Sequence, residues 1–277
     1  MGKVAEYRSI RISLYNYFSL NTTFAPRMMS EISIRVAAVS YSNTYPFLHG
    51  LQQSAILGAM KLQLDTPSEC ARKLLLGEVD LGLVPVAVIP FIKAPHLISD
   101  FCIGANGAVE SVCLFSQVPL EEITEILLDF QSRTSVQLMR ILAERHFHIS
   151  PKWIDTQDGY IAQIKGSTAG VVIGDRAFAL HQQFSVVVDL ALEWKNLTGL
   201  PFAFACWVSN KQLSESFKHD FNQALRYGVE HREDAIRERV PHNTEAMLHY
   251  VNHCISYPFD ASKQQAMQLF HHWSSQM

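Results

Sequence analysis

The sequence lacks long hydrophobic runs, a regular cysteine pattern and an excess of basic charge. No run in its 277 residues approaches the roughly 18 apolar residues of a membrane helix, so we expect no membrane partner. The five cysteines are irregularly spaced without a C-x-x-C pair, which is typical of reduced, mostly buried thiols in a cytoplasmic protein. A net charge of -3 argues against a nucleic-acid partner but leaves an anionic small molecule open, because local donors hold such a ligand.

The motifs of common cofactor sites and catalytic centres are absent as well. The sequence contains neither G-x-G-x-x-G nor a phosphate-binding G-x-x-x-x-G-K-S/T loop, so we predict no nucleotide cofactor. The nucleophile motif G-x-S-x-G is missing. His249 and His253 lie four residues apart on a predicted helix, but no Cys, Asp or Glu partner stands at a signature distance. We therefore predict no metal and no other cofactor.

The hydrophobic pattern that is present repeats a strand-helix-strand-helix-strand unit twice. In the first unit we predict strands at 32–39, 60–64 and 79–89, with helices at 47–59 and 66–77. In the second unit we predict strands at 125–129, 152–155 and 169–174, with helices at 135–146 and 159–165. This alternation is typical of an α/β protein with mainly parallel strands in two lobes.

The rest of the chain indicates how the two units are joined. An apolar strand at 200–208 can carry the chain back to the first lobe, and three helices follow at 214–239, 244–255 and 261–273. We predict that lobe 1 comprises 32–112 and 205–277 and that lobe 2 comprises 113–204, with a ligand cleft between them. Residues 1–31 resemble no secretory signal and are expected to form a poorly ordered leader.

The turn before the predicted helix at 135–146 is the strongest candidate for a ligand site. It contains Ser132, Arg133, Thr134 and Ser135, three hydroxyls and a guanidinium, where unpaired N–H groups and the helix dipole favour an anion. The alternative is an ordinary cap, in which Ser132 or Thr134 only satisfies the helix start.

Three other segments contain candidate site residues. Ser40, Ser42 and Asn43 lie in the loop after the first strand, at the sheet edge where ligands bind in α/β proteins, or they satisfy their own turn. Ser111 lies where the chain first crosses between lobes and either faces the cleft or is solvated. After Gly174, the favoured interpretation is that Asp175 caps the next helix and pairs with its neighbour Arg176.

Several short motifs, in fixed order, resemble the chorismate dehydratases of the futalosine route to menaquinone. They are Val39-Ser-Tyr-Ser-Asn-Thr-Tyr-Pro46, Gly77-Glu-Val-Asp-Leu-Gly-Leu-Val-Pro85, Ser132-Arg-Thr-Ser135, Ile173-Gly-Asp-Arg-Ala177, and Trp194 with Thr198-Gly-Leu-Pro-Phe202. The resemblance covers about 32–207. Ser42 departs from the usual Leu, and Val86 stands where a small hydroxyl residue is common.

The resemblance implies a two-lobed, type II periplasmic-binding-protein-like fold and the loss of water from chorismate inside the cell. Thr134 and Ser135 would stabilise developing negative charge, while Asn43 and Ser111 would orient a carboxylate or the leaving hydroxyl. The residues expected to bind the substrate are Ser40, Tyr41, Ser42, Pro85, Ser132, Arg133, Gly174, Asp175 and Phe202.

The matched motifs contain no obvious general base, so the enolpyruvyl carboxylate of the substrate is a candidate proton acceptor. One alternative is the 1,4-dihydroxy-6-naphthoate synthase of the same pathway, which would be expected to use a histidine in lobe 2. The other is a receptor that binds an anionic solute and converts nothing. We expect a monomer or a homodimer.

Overall fold

The computed structural model describes residues 33–277, and the predicted leader at 1–31 lies outside them. Eleven strands and eight α-helices make up this part of the chain. The strands are β1 Ile34–Val39, β2 Met60–Asp65, β3 Leu81–Pro85, β4 His96–Ala105, β5 Val112–Ser116, β6 Glu125–Leu128, β7 Lys152–Asp155, β8 Thr168–Ile173, β9 Val186–Asp189, β10 Phe202–Ser209 and β11 Ser256–Pro258. The helices are α1 Tyr45–Gln52, α2 Pro67–Leu75, α3 Thr134–Leu142, α4 Leu190–Thr198, α5 Glu215–Glu230, α6 Arg232–Arg239, α7 Thr244–His249 and α8 Ala261–Ser274.

The strands form two sheets. The first sheet has the order β11-β4-β10-β3-β1-β2, and the second has the order β7-β6-β8-β5-β9. The strands of each repeated unit pair in parallel, β1 with β2 and β3, and β6 with β7 and β8. β10 pairs antiparallel with β3 and β4, and β5 with β8 and β9. The chain passes from the first sheet to the second through residues 106–111, here called the crossing segment, and returns between β9 and β10.

Parallel pairing brings the loops that follow β1 and β3 to one edge of the first sheet. The β3 strand is buried along its whole length, as expected for a strand covered on both faces. In the second sheet, β6 and β8 end beside the turn that starts α3 and beside Gly174. The carboxyl ends of parallel strands in both sheets therefore carry the loops that contain the predicted site residues.

The α/β class and the alternation of strands and helices are confirmed. The strand at 152–155 is confirmed in its bounds, and the strand at 200–208 is displaced by two residues at its start. The strand predicted over 79–89 is wrong in length, because the chain leaves the sheet at Pro85 and continues as a 3-10 helix, Val86–Phe91. An apolar run by itself does not separate a strand from a buried helical turn.

Other helix boundaries differ from the prediction because tertiary contacts override the local sequence pattern. The helix predicted over 47–59 is divided into α1 and a 3-10 turn, Ala55–Ala59, and a 3-10 turn, Tyr160–Gln163, replaces the short helix at 159–165. Thr66 precedes α2 as expected, with Pro67 at the first helical position, but its side chain makes no cap bond. The strands β4, β9 and β11 and helix α4 were not predicted.

Helices of the C-terminal tail pack on helices that lie beside the two sheets. α5 crosses α1 so closely that a Cβ on Gly50 would lie 1.9 Å from the Ala224 carbonyl oxygen, and a Cβ on Gly228 would lie 1.9 Å from the Pro46 carbonyl oxygen. On the other side, the α8 residue Trp273 packs edge-on against Trp194 of α4, with ring centroids 5.4 Å apart. The tail therefore contacts elements next to both sheets.

The burial of the cysteines agrees with the expectation from composition. All five cysteines are free and buried, and burial raises the thiol pKa of Cys70 and Cys102 to about 12. Among residues 33–277 no helix has both the length and the apolar character needed to cross a membrane. The lobe boundaries at 112/113 and 204/205 stay a prediction, although β5 belongs to the second sheet and β10 to the first.

Candidate active site

A cavity of about 510 Å³, including its opening to solvent, lies between the carboxyl-end loops of the two sheets. Both sheets contribute to its wall, together with the start of α3 and the crossing segment. The lining residues are Val39, Tyr41, Asn43, Pro67, Pro85, Ile103, Val109, Ser111, Val112, Ser132, Thr134, Ser135, Ile173, Gly174, Phe204 and Ala205.

The start of α3 faces this cavity, and its three hydroxyls are used differently. Ser132 Oγ accepts a hydrogen bond from the Ser135 N–H at 3.0 Å and so caps the helix. Thr134 Oγ1 donates to the Phe204 carbonyl oxygen at 3.0 Å and accepts from the Ala87 N–H at 3.2 Å. Among residues 33–277, no group hydrogen-bonds Ser135 Oγ or the N–H of Thr134. Ser135 Oγ and that N–H are therefore among the free donors at the helix start.

A buried tyrosine joins two of the predicted catalytic side chains on the opposite wall. Tyr250 Oη lies 2.6 Å from Ser111 Oγ and accepts from Asn43 Nδ2 at 3.3 Å. The ring of Tyr250 is 1 % exposed and packs edge-on against Phe178, with centroids 4.9 Å apart. The Asn43 carbonyl oxygen accepts a further bond from Tyr257 Oη at 3.1 Å. These contacts fix Asn43 and Ser111, which come from distant parts of the chain, in one arrangement.

Tyr41 closes the cavity beside the second sheet. Its phenol hydrogen-bonds the side chain of Gln131, and its ring lies against Gly174. Gly174 has φ +67, and a Cβ there would lie 2.7 Å from the Tyr41 ring, so glycine is required for both reasons. Burial raises the pKa of the Tyr41 phenol above its ordinary value, and nearby Arg176 opposes this effect without reversing it. Tyr41 is therefore a neutral donor in this site.

The charges that follow β8 are paired differently from the expectation. Arg176 Nη2 pairs with Asp129, 2.7 Å from Oδ2, and not with its neighbour Asp175. Asp129 is fully buried and also accepts from the Ile173 N–H at 2.9 Å. The Asp175 carboxylate accepts from Ser42, from its hydroxyl at 2.5 Å and from its N–H at 3.2 Å, instead of capping the next helix. The expected Asp175–Arg176 pair is wrong, because the buried Asp129 needs a cation to compensate its charge.

The four predicted catalytic residues, Asn43, Ser111, Thr134 and Ser135, all lie on the cavity wall. Of the predicted substrate-binding residues, the structure also brings four to the wall: Tyr41, Pro85, Ser132 and Gly174. Their roles stay predictions.

Five predicted substrate-binding residues do not line the cavity. Ser40 and Arg133 are exposed, and the Ser40 N–H donates to the Asp65 carbonyl oxygen at 2.9 Å. Ser42 and Asp175 bond each other, as described above. Phe202 is 1 % exposed and packs on Trp194 and Phe270, so it supports the wall residue Phe204 from behind.

The sequence did not predict that Tyr250 and the apolar wall residues belong to the site. Tyr250 lies in the tail, far along the chain from every matched motif, and only the fold shows its contact with Asn43. The apolar wall residues not predicted are Val39, Pro67, Ile103, Val109, Val112, Ile173, Phe204 and Ala205. Most lie at strand ends next to predicted polar residues, which is the signal that could have identified them.

The wall lacks formal charge. Among residues 33–277, none with an Asp, Glu, Lys, Arg or His side chain lines the cavity. The histidines of the second-sheet region are engaged elsewhere: His181 Nε2 donates to the Glu110 carbonyl oxygen at 2.7 Å, and His146 pairs with Glu193 at 2.7 Å. The site can hold an anion by hydroxyl, amide and helix N–H groups, and the described part of its wall has no side chain suited to remove a carbon-bound proton.

The sequence matches the family model described as menaquinone biosynthesis over residues 34–276. A curated relative from Thermus thermophilus, named chorismate dehydratase, is 29 % identical over 190 residues, which cover 62 % of this chain and 68 % of the relative.

Solved structures similar to this one share its fold at low sequence identity. A protein from Archaeoglobus fulgidus gives a TM-score of 0.73 at 13 % identity, covering 88 % of this chain and 97 % of that one. A Candida albicans protein described as having the generic periplasmic-binding-protein fold gives 0.62 at 11 % identity, covering 88 % and 90 %. The alkanesulfonate-binding protein of Xanthomonas axonopodis pv. citri gives 0.59 at 16 % identity, covering 88 % and 94 %. The expected periplasmic-binding-protein-like fold is thereby confirmed.

Proposed function

Because the chain belongs to the menaquinone biosynthesis family, we propose that it is a chorismate dehydratase, acting in the cytoplasm on the futalosine route. The Thermus thermophilus relative supports the substrate and the reaction. The observation that carries the proposal is the cavity itself: neutral donors surround the start of α3, and no ionisable base is present on the described wall. These features suit an anionic substrate that brings its own proton acceptor.

Chorismate has a ring carboxylate, an enolpyruvyl ether at ring carbon 3 and a hydroxyl at ring carbon 4. Loss of the hydrogen at carbon 3 and the hydroxyl at carbon 4 gives one water and an aromatic ring, the enolpyruvyl ether of 3-hydroxybenzoate. Aromatisation makes the overall step favourable, so the barrier lies in removing a carbon-bound proton. The negative charge that develops at carbon 3 spreads through a double bond onto the ring carboxylate.

The start of α3 is placed to stabilise that charge. We assign the ring carboxylate to Ser135 Oγ and the Thr134 N–H, where the helix dipole adds to the hydrogen bonds. Removing one donor of this kind typically slows a reaction by about 100-fold or more. The Thr134 hydroxyl, bonded to Phe204 and Ala87, holds α3 against the first sheet instead of contacting the substrate.

Asn43 and Ser111 face this helix start from the other wall. The Asn43 Oδ1 accepts from Thr44 Oγ1 at 3.2 Å, and Nδ2 gives one proton to Tyr250. The second Nδ2 proton of Asn43 and one Ser111 lone pair or proton are left to orient the leaving hydroxyl or the enolpyruvyl group. Apolar residues such as Ile103, Val109 and Phe204 contact the ring and exclude water, which strengthens each of these hydrogen bonds.

The proton acceptor in this proposal is the enolpyruvyl carboxylate of the substrate. It is joined to ring carbon 3 through the ether oxygen, so it can reach the hydrogen on that carbon. The proton moves to this carboxylate and the electron pair moves into the ring. The hydroxyl on carbon 4 then leaves as water by taking that proton from the carboxylic acid, which becomes a carboxylate again. The protein supplies orientation and charge stabilisation, which are the two contributions to catalysis that its neutral wall can provide.

The naphthoate synthase alternative is less well supported, because none of His146, His148 and His181 lines the cavity. Incubation of the purified chain with chorismate, followed by chromatography for an aromatic product, tests the proposal. We expect chorismate to disappear as the enolpyruvyl ether of 3-hydroxybenzoate accumulates. A folded protein that leaves chorismate intact would refute it, and conversion of a cyclic futalosine product instead would favour the alternative. Tight chorismate binding without turnover would favour a receptor.

A further inference from the structure

Three side chains with metal-ligating atoms meet outside the cavity lining, and two of them are sequence neighbours of Ser111 and Tyr250. They are the Glu110 carboxylate, the His249 imidazole and the Cys254 thiol, whose ligand atoms all lie within 4.8 Å of one another. Glu110 Oε1 and His249 Nε2 are 4.0 Å apart. The Cys254 side chain is 6 % exposed and lies beneath the other two, whereas the His249 side chain is 59 % exposed.

A π-helical turn brings His249 and Cys254 together. Helix α7 ends at His249, and the next turn, Tyr250–Cys254, is a π-helix with hydrogen bonds from residue i to i+5. In an α-helix, residues five apart point away from each other, because one turn takes 3.6 residues. The wider π turn places such residues one above the other on the same face. π turns of this kind occur frequently at functional sites.

The backbone of Glu110 is held in an unusual conformation that fixes the third side chain. Its φ is 62, in the left-handed region that side chains other than glycine rarely adopt. The Glu110 N–H donates to Asp189 Oδ2 at 2.6 Å, and its carbonyl oxygen accepts from His181 Nε2 at 2.7 Å. A strained backbone conformation persists only when surrounding contacts hold it in place, as these two hydrogen bonds do.

We propose that Glu110, His249 and Cys254 bind one zinc ion. Cysteine, histidine and glutamate are all established zinc ligands, and a mixed sulfur, nitrogen and oxygen set favours zinc over calcium or magnesium. Tetrahedral zinc at about 2.0 Å from nitrogen and oxygen places those two atoms about 3.3 Å apart. Rotation of the exposed His249 side chain covers that difference, and a water completes the coordination.

Bound zinc would join the crossing segment to the tail at a point next to the cavity. Glu110 precedes Ser111 in sequence, and His249 precedes Tyr250, while Ser111 and Tyr250 hydrogen-bond each other on the cavity side. The ion would therefore brace the pair that holds Asn43, without contacting the substrate. The sequence pattern predicts no metal here because His249 has no partner at a signature spacing, whereas the fold supplies Glu110 from 139 positions away.

Cobalt substitution tests this site with a readout independent of chorismate turnover. The full chain, freed of metal with a chelator, is titrated with Co²⁺ and then with Zn²⁺. We expect one Co²⁺ per chain, with a thiolate charge-transfer band in the near ultraviolet that Zn²⁺ abolishes. Cys254→Ser should remove that band, and His249→Ala should weaken binding by roughly tenfold or more.

His219→Ala is the matched control, because His219 is an exposed histidine on α5, outside the cluster, and its loss should leave binding unchanged. His249 is itself exposed, so its replacement does not threaten the fold. Wild-type protein without a thiolate band, or Co²⁺ affinity equal in the wild type and in both cluster variants, would overturn the proposal. Neither result depends on whether chorismate is the substrate.

Discussion

Neighbouring hydroxyls at the start of α3 perform separate tasks, although the sequence presents them as one cluster. Ser132 caps the helix, Thr134 bridges to the first sheet, and Ser135 is left to face the cavity. The sequence predicted eight of the residues that line the cavity, because most of them lie in loops that parallel strands bring together, whereas five other predicted residues lie off the wall. The sequence did not predict which hydroxyl caps the helix and which one faces the cavity, because these roles depend on contacts with Phe204 and Ala87.

Separate replacement of Ser132 and Ser135 should show that Ser132 contributes to stability and Ser135 to activity. Ser132→Ala removes the cap and should lower the free energy of unfolding by about 1 kcal/mol. Ser135→Ala should leave that free energy nearly unchanged and lower kcat for chorismate by about 100-fold, because a donor to the ring carboxylate is lost. Urea unfolding and steady-state kinetics measure the two effects. Equal kinetics for Ser135→Ala and the wild type would show that Ser135 does not act on the substrate.

Tyr250 acts through Asn43 and Ser111, so its phenol is a positioning group. Tyr250→Phe keeps the buried ring but removes both hydrogen bonds, and we expect kcat to fall by about tenfold or more with little change in KM. Tyr160→Phe is the matched control: Tyr160 is also buried, and its hydroxyl donates to the Val171 carbonyl oxygen at 2.6 Å, away from the cavity. A similar loss of kcat in both variants would show that general destabilisation is the cause.

At the scale of elements, the parallel strands of both units were predictable because their apolar patterns and flanking turns are local. The antiparallel strands β4, β9 and β11 were not, because their pairing is set by distant partners. β11 has only three residues, Ser256–Pro258, and exists through its bonds to β4. Two π turns, Ala143–Phe147 after α3 and Tyr250–Cys254 after α7, likewise have no simple pattern in the sequence, and the second contributes to the proposed zinc site.

The close crossing of α1 and α5 holds the segment that carries Asn43. Gly50→Ala would force a Cβ into the α5 backbone, so we expect a loss of about 1–3 kcal/mol in the free energy of unfolding. Gly58→Ala meets nothing within 4 Å and should be close to neutral. Urea unfolding of both variants checks the pair. A neutral Gly50→Ala would mean that the two helices can separate at no cost.

At the scale of the whole molecule, the two sheets are joined across the cavity by direct bonds. Ser42 bonds Asp175, Thr134 bonds Phe204, and the Ser68 N–H donates to the Gln131 carbonyl oxygen at 3.1 Å. This arrangement encloses the substrate in a region of low dielectric, where neutral donors are effective. The cleft was predictable from the repeated units, but the closing contacts were not, since each joins residues far apart in sequence.

The lack of titratable acidic, basic and histidine side chains on the described cavity wall predicts how kcat depends on pH. The substrate carboxylate is ionised well below neutrality, and burial raises the pKa of Tyr41, so that its phenol stays protonated. We therefore expect kcat to be flat between about pH 6 and about pH 9, because no group required in one protonation state titrates there.

A histidine base would instead give a rise in kcat centred near pH 6.5. The complementary measurement uses a chorismate analogue without the enolpyruvyl carboxylate, whose turnover should fall by about 100-fold or more. Undiminished turnover of that analogue would assign the proton acceptor to the protein.

The central claim is that the substrate's ring acid is held by the first residues of α3, within the gap between the sheets. A crystal of the full chain soaked with the enolpyruvyl ether of 3-hydroxybenzoate tests this most directly. We expect a ring carboxylate oxygen within about 3.2 Å of Ser135 Oγ and of the Thr134 N. A product molecule bound elsewhere, or with its ring carboxylate turned away from α3, would contradict the account.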